Sequence, residues 1–229
     1  MSGLQTVIDN AASIAIDRRK VVGIQVTRNE VSRTNQTPTL QPWRFSITLP
    51  SKFRYSEARA LLEELDTLDR NVPQIVKFNN NPEMNWIFSY QGSVAFSLIN
   101  NLTVQSFVGK TLTLTSLPGV SPSTILFRKN DFIQIGNNPY PFTVEQTVTR
   151  GSGTTVEVIT HRPNILTSSI VGNTIKVGSD CEFNLFCPNM PTYRLKPGGA
   201  TFGRFNRTTN NALIEFSSEF NLVEWVSQA

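Results

Sequence analysis

The sequence predicts a mainly β fold with one packed α-helix. Short runs of alternating apolar and polar residues recur along the chain, and one stretch alone shows an apolar step of three and four residues. Charged side chains make up only 17% of the 229 residues, so Asn, Thr and Ser fill the polar positions, as in β-rich proteins with many turns.

The opening segment, Leu4 to Ile16, reads as a weak helix or an arm, because Asp9 and Asn10 interrupt its apolar pattern. Val21 to Thr27 reads as a strand. Trp43, Phe45, Ile47 and Leu49 alternate with Arg44, Ser46 and Thr48, which predicts a strand with one dry and one wet face. The helix is expected from Ser56 to Arg70, where Ala58, Leu61, Leu62, Leu65 and Leu68 form one stripe. Ser56 suits the N-cap, Glu57 the first turn, and Arg70, Asn71 and Pro73 the end. Further strands are expected at 75–78, 86–90, 94–99, 112–117, 125–127, 132–135, 142–148, 155–160, 174–177, 182–186, 212–216 and 219–225. Leu-Pro-Gly at 117–119, Gly-Asn-Asn-Pro at 136–139, Gly-Ser-Gly at 151–153 and Lys-Pro-Gly-Gly at 196–199 supply turns between them.

One helix among many strands excludes a parallel α/β sheet with repeated crossovers. Compositional breaks near Gly109 and Gly172 suggest two domains: a parent domain from residues 1–109 and 172–229, and an inserted module from 110–171. No stretch reaches the roughly 20 apolar residues of a membrane span, and no targeting signal is visible, so neither a membrane nor export is expected. The net charge of +4 permits a nucleic-acid partner without demanding one.

Candidate chemistry is sparse. Glu63, Glu64, Asp66 and Asp69 lie on the outer helix face, where a solvated or partner-facing surface explains them better than a pair of catalytic carboxylates across a cleft. The single histidine, His161, ends a predicted strand, and no G-x-S-x-G turn presents a serine to it. Cys181 and Cys187, in CEFNLFC, share one face of a predicted strand about 20 Å apart at the usual rise, too far to bridge, so two reduced buried thiols are expected. One His with a C-x5-C pair matches no zinc site, and Gly151 and Gly153 form a G-x-G without a P-loop lysine. No catalytic, cofactor-binding or metal-ligating residue is therefore assigned, no cofactor is expected, and the chain is read as a non-enzyme.

Two binding readings remain as alternatives. Lys129, Phe132, Tyr140, Phe142, His161 and Arg162 are the residues an OB-type single-strand binder would use as basic groove and stacking platforms, with Asp131 and Glu145 arguing against it. Trp86 and Tyr90 are the rings a glycan- or receptor-binding accessory protein would stack on sugars. The clusters Arg18-Arg19-Lys20 and Arg204 to Arg207 read as subunit contacts or solvated turns, and Asn35, Asn101 and Asn206 begin sequons that matter only after secretion.

The run KNDFIQIGNNPYPFTVEQTVTRGSGTTVEVITHRPNI, from Lys129 to Ile165, resembles a module of minor tail and baseplate-type proteins of tailed bacteriophages. CEFNLFCPNMPTYRL followed by ALIEFSSEFNLVEWV is similar to their closing strands, and FSITLPSKFRYSEARALLEELDTLDR to their strand-then-helix unit. The resemblance implies a distal tail or baseplate protein of the virion, assembled in the host cytoplasm. It also implies a tube-type split β-barrel that closes into a ring, sixfold as in that family, with an inserted small β-barrel outside. The partners it implies are further copies of the chain, the tail tube protein, and baseplate hub or tail fibre proteins; it carries over no catalytic residue.

Overall fold

The structure is a computed structural model that describes residues 3–17, 22–26, 32–36, 42–50, 53–67, 72–80, 84, 87–166, 169–196 and 213–226. It is mainly β, with several antiparallel sheets and few short helices, and none of the sheets closes into a barrel among the described residues. The chain folds into two units: residues 1–17, 43–76 and 184–225 form the first, and residues 18–42, 77–183 and 226–229 the second.

The first unit begins with helix α1, Gly3–Asp9, which buries Leu4, Val7 and Ile8 at helical spacing. Asn10 stops it by donating its side-chain amide to the Thr6 carbonyl at 2.8 Å. The chain then enters β1, Ser13–Asp17, so the expected helix or arm is a short helix followed by a strand. β1 pairs antiparallel with β4, Arg44–Thr48, whose Phe45 and Ile47 are buried as the alternation requires. β5, Phe53–Arg54, leads directly into helix α2, Tyr55–Thr67, one residue earlier than the sequence suggests. Ala58, Leu61 and Leu62 are its buried stripe; Leu68 to Asn71 lie outside the described residues.

β6, Gln74–Lys77, β15, Glu182–Phe186, and β18, Phe220–Glu224, complete a five-stranded sheet in the order β1-β4-β18-β15-β6. Its outer side carries cross-strand polar pairs, such as Ser46 with Asn221 at 2.6 Å. A second sheet joins β16, Tyr193–Lys196, to β17, Leu213–Phe216, and β17 to β5. Its Ile214 packs under Ala58 and Leu62 of α2.

The second unit contains the hairpin of β2, Val22–Val26, and β3, Ser32–Gln36, and a set of small sheets. β7, Thr103–Val108, and β8, Thr111–Thr115, pair around Gly109, whose φ of 58° suits glycine. β13, Val156–Ile159, adds to the other side of β8. β10, Phe132–Ile135, lies between β11, Phe142–Thr143, and β14, Ile175–Val177, while β9, Ile125–Phe127, pairs with β12, Val148–Thr149. The core of this unit draws Val94, Ile99, Leu102, Val104 and Phe107, as well as Leu112, Phe127, Ile133, Phe142, Val158 and Ile175.

Three expected strands are absent in that form. Residues 94–99 contain helix α3, Phe96–Ile99, where the Leu98 and Ile99 amides both donate to the Ala95 carbonyl. This local pairing buries Ile99 and leaves Phe96 and Leu98 exposed, so the short alternation did not mark a strand. Around Ile87 to Tyr90 the chain makes turns instead of a ladder, because its anchors are side chains: Phe88 stacks on Phe78 with centroids 4.4 Å apart, and Tyr90 donates its hydroxyl to the Leu126 carbonyl at 2.5 Å. The stretch 142–148 is split. Phe142 pairs with β10, Val144 bridges to Thr160 and Val148 pairs with β9, so the chain bends as it changes partners. Besides α2 and the short helix that the opening segment allowed, the structure adds α3. No helix of the described residues is long and apolar enough to cross a membrane.

Candidate interaction surface

In the first unit a groove beside α2 stands open. The β16–β17 hairpin sets Tyr193 opposite Phe216 and Leu195 opposite Ile214, so these four side chains share one face of the sheet. α2 covers Ile214 and packs against Phe216, but the apolar row continues past the helix onto β16, where Tyr193 is 41% and Leu195 60% exposed. Leu62, Leu65, Met190, Tyr193, Phe216 and Phe220 line the resulting groove of about 420 Å³, with Asp66 at its side. Asp66 and Tyr193 are its only titratable residues among those described, so the groove offers contact area without a converging acid–base pair. On the opposite face of the hairpin Arg194 faces Glu215, and Lys196 makes an ion pair with Glu215.

Strand ends define the rest of the surface. β1 and β6 bound the five-stranded sheet and β16 bounds the smaller one, and no described strand pairs with the outer edge of any of them. Ile14 and Ile16 of β1 are half-buried, Ile75 of β6 is 56% exposed, and all four residues of β16 are exposed. Such edges are uncommon in isolated subunits unless charge or a neighbour protects them.

The acidic helix face is dispersed. Glu63 takes a surface ion pair from Arg59 at 2.8 Å, Glu64 accepts from the Thr6 hydroxyl at 2.7 Å, Asp66 borders the groove, and Asp69 lies outside the described residues. Glu64 therefore ties α1 to α2.

In the second unit the structure brings several of the sequence-selected aromatics together, but inside. Phe132, Tyr140, Phe142 and Arg162 are buried, and Lys129 is exposed. The Arg162 guanidinium lies 3.3 Å from the Tyr140 ring centroid and donates to the Pro141 carbonyl at 2.6 Å. Rings engaged this way hold the core together and do not present stacking platforms. His161 accepts at Nδ1 from the Thr143 amide and returns its own amide to the Thr143 carbonyl, both at 2.9 Å. That exchange joins the end of β13 to β11. Tyr90 is partly buried against the core, and burial pushes its hydroxyl up to about 12. Trp86 and the two basic clusters lie outside the described residues.

Cys181 and Cys187 are buried thiols that form no disulfide, flanking β15 on the face that also buries Phe183 and Leu185. Burial pushes the Cys181 thiol well above its ordinary value, with Asp180 adding to the effect. Glu182, on the other face, accepts from Lys176 at 3.0 Å and Lys77 at 3.2 Å, and its amide donates to Gln134 Oε1 at 2.5 Å. Among the described residues no cluster of three or more His, Cys, Asp or Glu side chains has a metal-binding arrangement.

Neither the β16 edge nor the groove was singled out from the sequence. A signal for both exists in PTYRLK, whose Tyr and Leu alternate with Arg and Lys beside a proline, the pattern of a charged edge strand. No protein-family model matches the chain, and no curated protein matches it.

Proposed function

We propose that the chain is a structural virion protein of a phage tail tip, a distal tail or baseplate ring component that connects the tail tube to baseplate or fibre proteins and catalyses no reaction. The observation that carries this reading is that strand edges of the first unit, among them β1, β6 and β16, have no described strand on their outer side. Edge strands supply backbone donors and acceptors for a neighbouring subunit, and a repeated contact of this kind closes into a ring when its rotation divides the circle. The resemblance of the strand-then-helix unit and the closing strands to tail proteins supports the same reading. In this reading residues 1–109 and 172–229 form the tube-type split β-barrel, completed by strands of neighbouring copies in a sixfold ring, and residues 110–171 an inserted small barrel. The virion is its location, the host cytoplasm the place of assembly, and membrane and nucleic acid have no part in its binding.

Light scattering and negative-stain electron microscopy of the purified chain, alone and with the tail tube protein of the same genome, test it. Closed rings of uniform size are expected. A monodisperse monomer in both conditions at high protein concentration overturns the reading.

A further inference from the structure

The groove beside α2 combines a negative helix end with aromatic walls. Unpaired carbonyls give a helix C-terminus partial negative charge that favours a cation, yet the last turn of α2 holds no basic residue. Three acids lie near that end. Glu63 pairs with Arg59 and Glu64 accepts from Thr6, whereas the exposed Asp66 carboxylate has no hydrogen-bond or ion-pair partner among the described residues. No basic side chain lines the groove, and Arg194 and Lys196 lie on the opposite face of the hairpin from Tyr193.

The strands supply the aromatic side. The ring centroids of Tyr193 and Phe216 are 6.2 Å apart and those of Phe216 and Phe220 5.1 Å apart, with each pair inclined by 65°. Rings set at such angles form corners instead of a flat stack. A cation seated in the corner of Tyr193 and Phe216 comes within about 6 Å of both centroids, where the ring quadrupoles attract it. Acceptors are scarce. The Thr192 hydroxyl is shared with that of Ser217 at 2.9 Å and the Thr192 carbonyl takes the Ser217 amide, so Asp66 and the Tyr193 hydroxyl are the side-chain acceptors that remain in the lining. A primary ammonium brings three donors and a guanidinium five, each needing an acceptor once water has left, whereas a quaternary ammonium brings none. The volume of about 420 Å³ suits a small organic ion.

We propose that the groove binds a quaternary ammonium ion of choline type. Its trimethylammonium group sits in the corner of Tyr193 and Phe216, and its charge is balanced by Asp66 and the C-terminal end of α2. The whole site lies within the first unit and needs no second copy, so it goes beyond the assembly reading and does not depend on it.

Equilibrium dialysis of labelled choline against the full-length chain, at low ionic strength, tests the ligand class. Saturable uptake is expected, displaced by tetramethylammonium and about tenfold less well by dimethylbutanol, the uncharged carbon analogue of choline. Equal displacement by the uncharged analogue reduces the groove to an apolar slot and overturns the proposal. Tighter competition by butylammonium or ethylguanidinium, or the absence of saturable uptake, also overturns it.

Substitutions test the location. Asp66 and Tyr193 are both exposed, so Asp66→Asn and Tyr193→Leu are expected to keep the fold by circular dichroism while each weakens choline binding about fivefold or more. Glu215→Gln, on the opposite face of the hairpin, is expected to leave binding unchanged. Folded Asp66→Asn or Tyr193→Leu chains with unaltered affinity, or an equal loss from Glu215→Gln, overturn the proposal.

Discussion

Asp131 shows how much one side chain organises in the second unit. It is 2% exposed, and its carboxylate accepts the Arg128 amide at 2.8 Å and the Gln91 amide at 3.0 Å, which fastens the turn after Tyr90 to the loop before β10. Burial raises its pKa, and the two amide bonds only partly offset that. The stability linked to this group is therefore fully present below the ordinary value of 3.8 and is lost as pH rises through the raised folded value. Asp131→Asn turns an amide donor toward one of the two backbone donors, and a loss of about 1–3 kcal/mol is expected from urea unfolding at neutral pH. An unchanged midpoint would sink this account. Gly178 makes a steric case: at φ +59° an added Cβ would sit 2.5 Å from the Tyr90 nitrogen, whereas at Gly109, φ +58°, nothing lies within 4 Å. Gly178→Ala is expected to cost about 2–4 kcal/mol, strain plus clash, and Gly109→Ala only the strain, about 1 kcal/mol. Equal melting temperatures for the two variants would contradict the clash.

β15 is the element in which alternation and chemistry coincide. Its buried face runs Cys181, Phe183, Leu185, Cys187, while Glu182 on the other face gathers Lys77 and Lys176. Burial pushes the Glu182 pKa up, but the hydrogen bonds from Lys176 and Lys77 outweigh it and leave the value below the ordinary 4.5. Its stabilisation is present above that ordinary value and disappears as pH falls through the depressed folded value, opposite in sign to Asp131. Glu182→Gln is expected to cost about 1.5 kcal/mol at pH 7, the low end for bonds to a charged group because both lysines still reach solvent. It should also flatten the loss of stability in acid. An acid limb as steep as that of the parent protein would refute the assignment. The thiols on the buried face are expected to resist a thiol reagent in the native state and to titrate as two free groups after denaturation. Rapid labelling of the folded protein would show that the face is not buried.

For the whole molecule, the division of the chain into two units predicts that the second folds by itself. The core of the second unit is built mainly from residues between Val94 and Val177, and Phe78, Phe88, Phe132 and Phe183 form an aromatic cluster within residues 77–183. A fragment spanning Lys77 to Phe183 is therefore expected to unfold in one cooperative thermal transition. A broad, non-cooperative melt would show that the fragment needs the rest of the chain. The first unit is where assembly is expected, since it carries the edges β1 and β16.

Sequence alone determined the elements whose evidence is local. The α2 stripe, the alternation of β4 and β15 and the separation of the two cysteines follow from periods of 3.6 and 2, and the structure has them in place. The β16 edge and the groove beside it were not legible, since a strand's pattern tells which residues share a face but not whether another strand or helix covers that face. Tertiary structure also decided the fate of Phe132, Tyr140, Phe142 and Arg162: the sequence allowed a binding platform, although the aromatics occupy core-facing positions of the alternation, and packing places all four inside. The same holds for residues 94–99, where Ile99 enters the core through one helical turn, because burial of that single side chain outweighs the weak strand preference of a six-residue run.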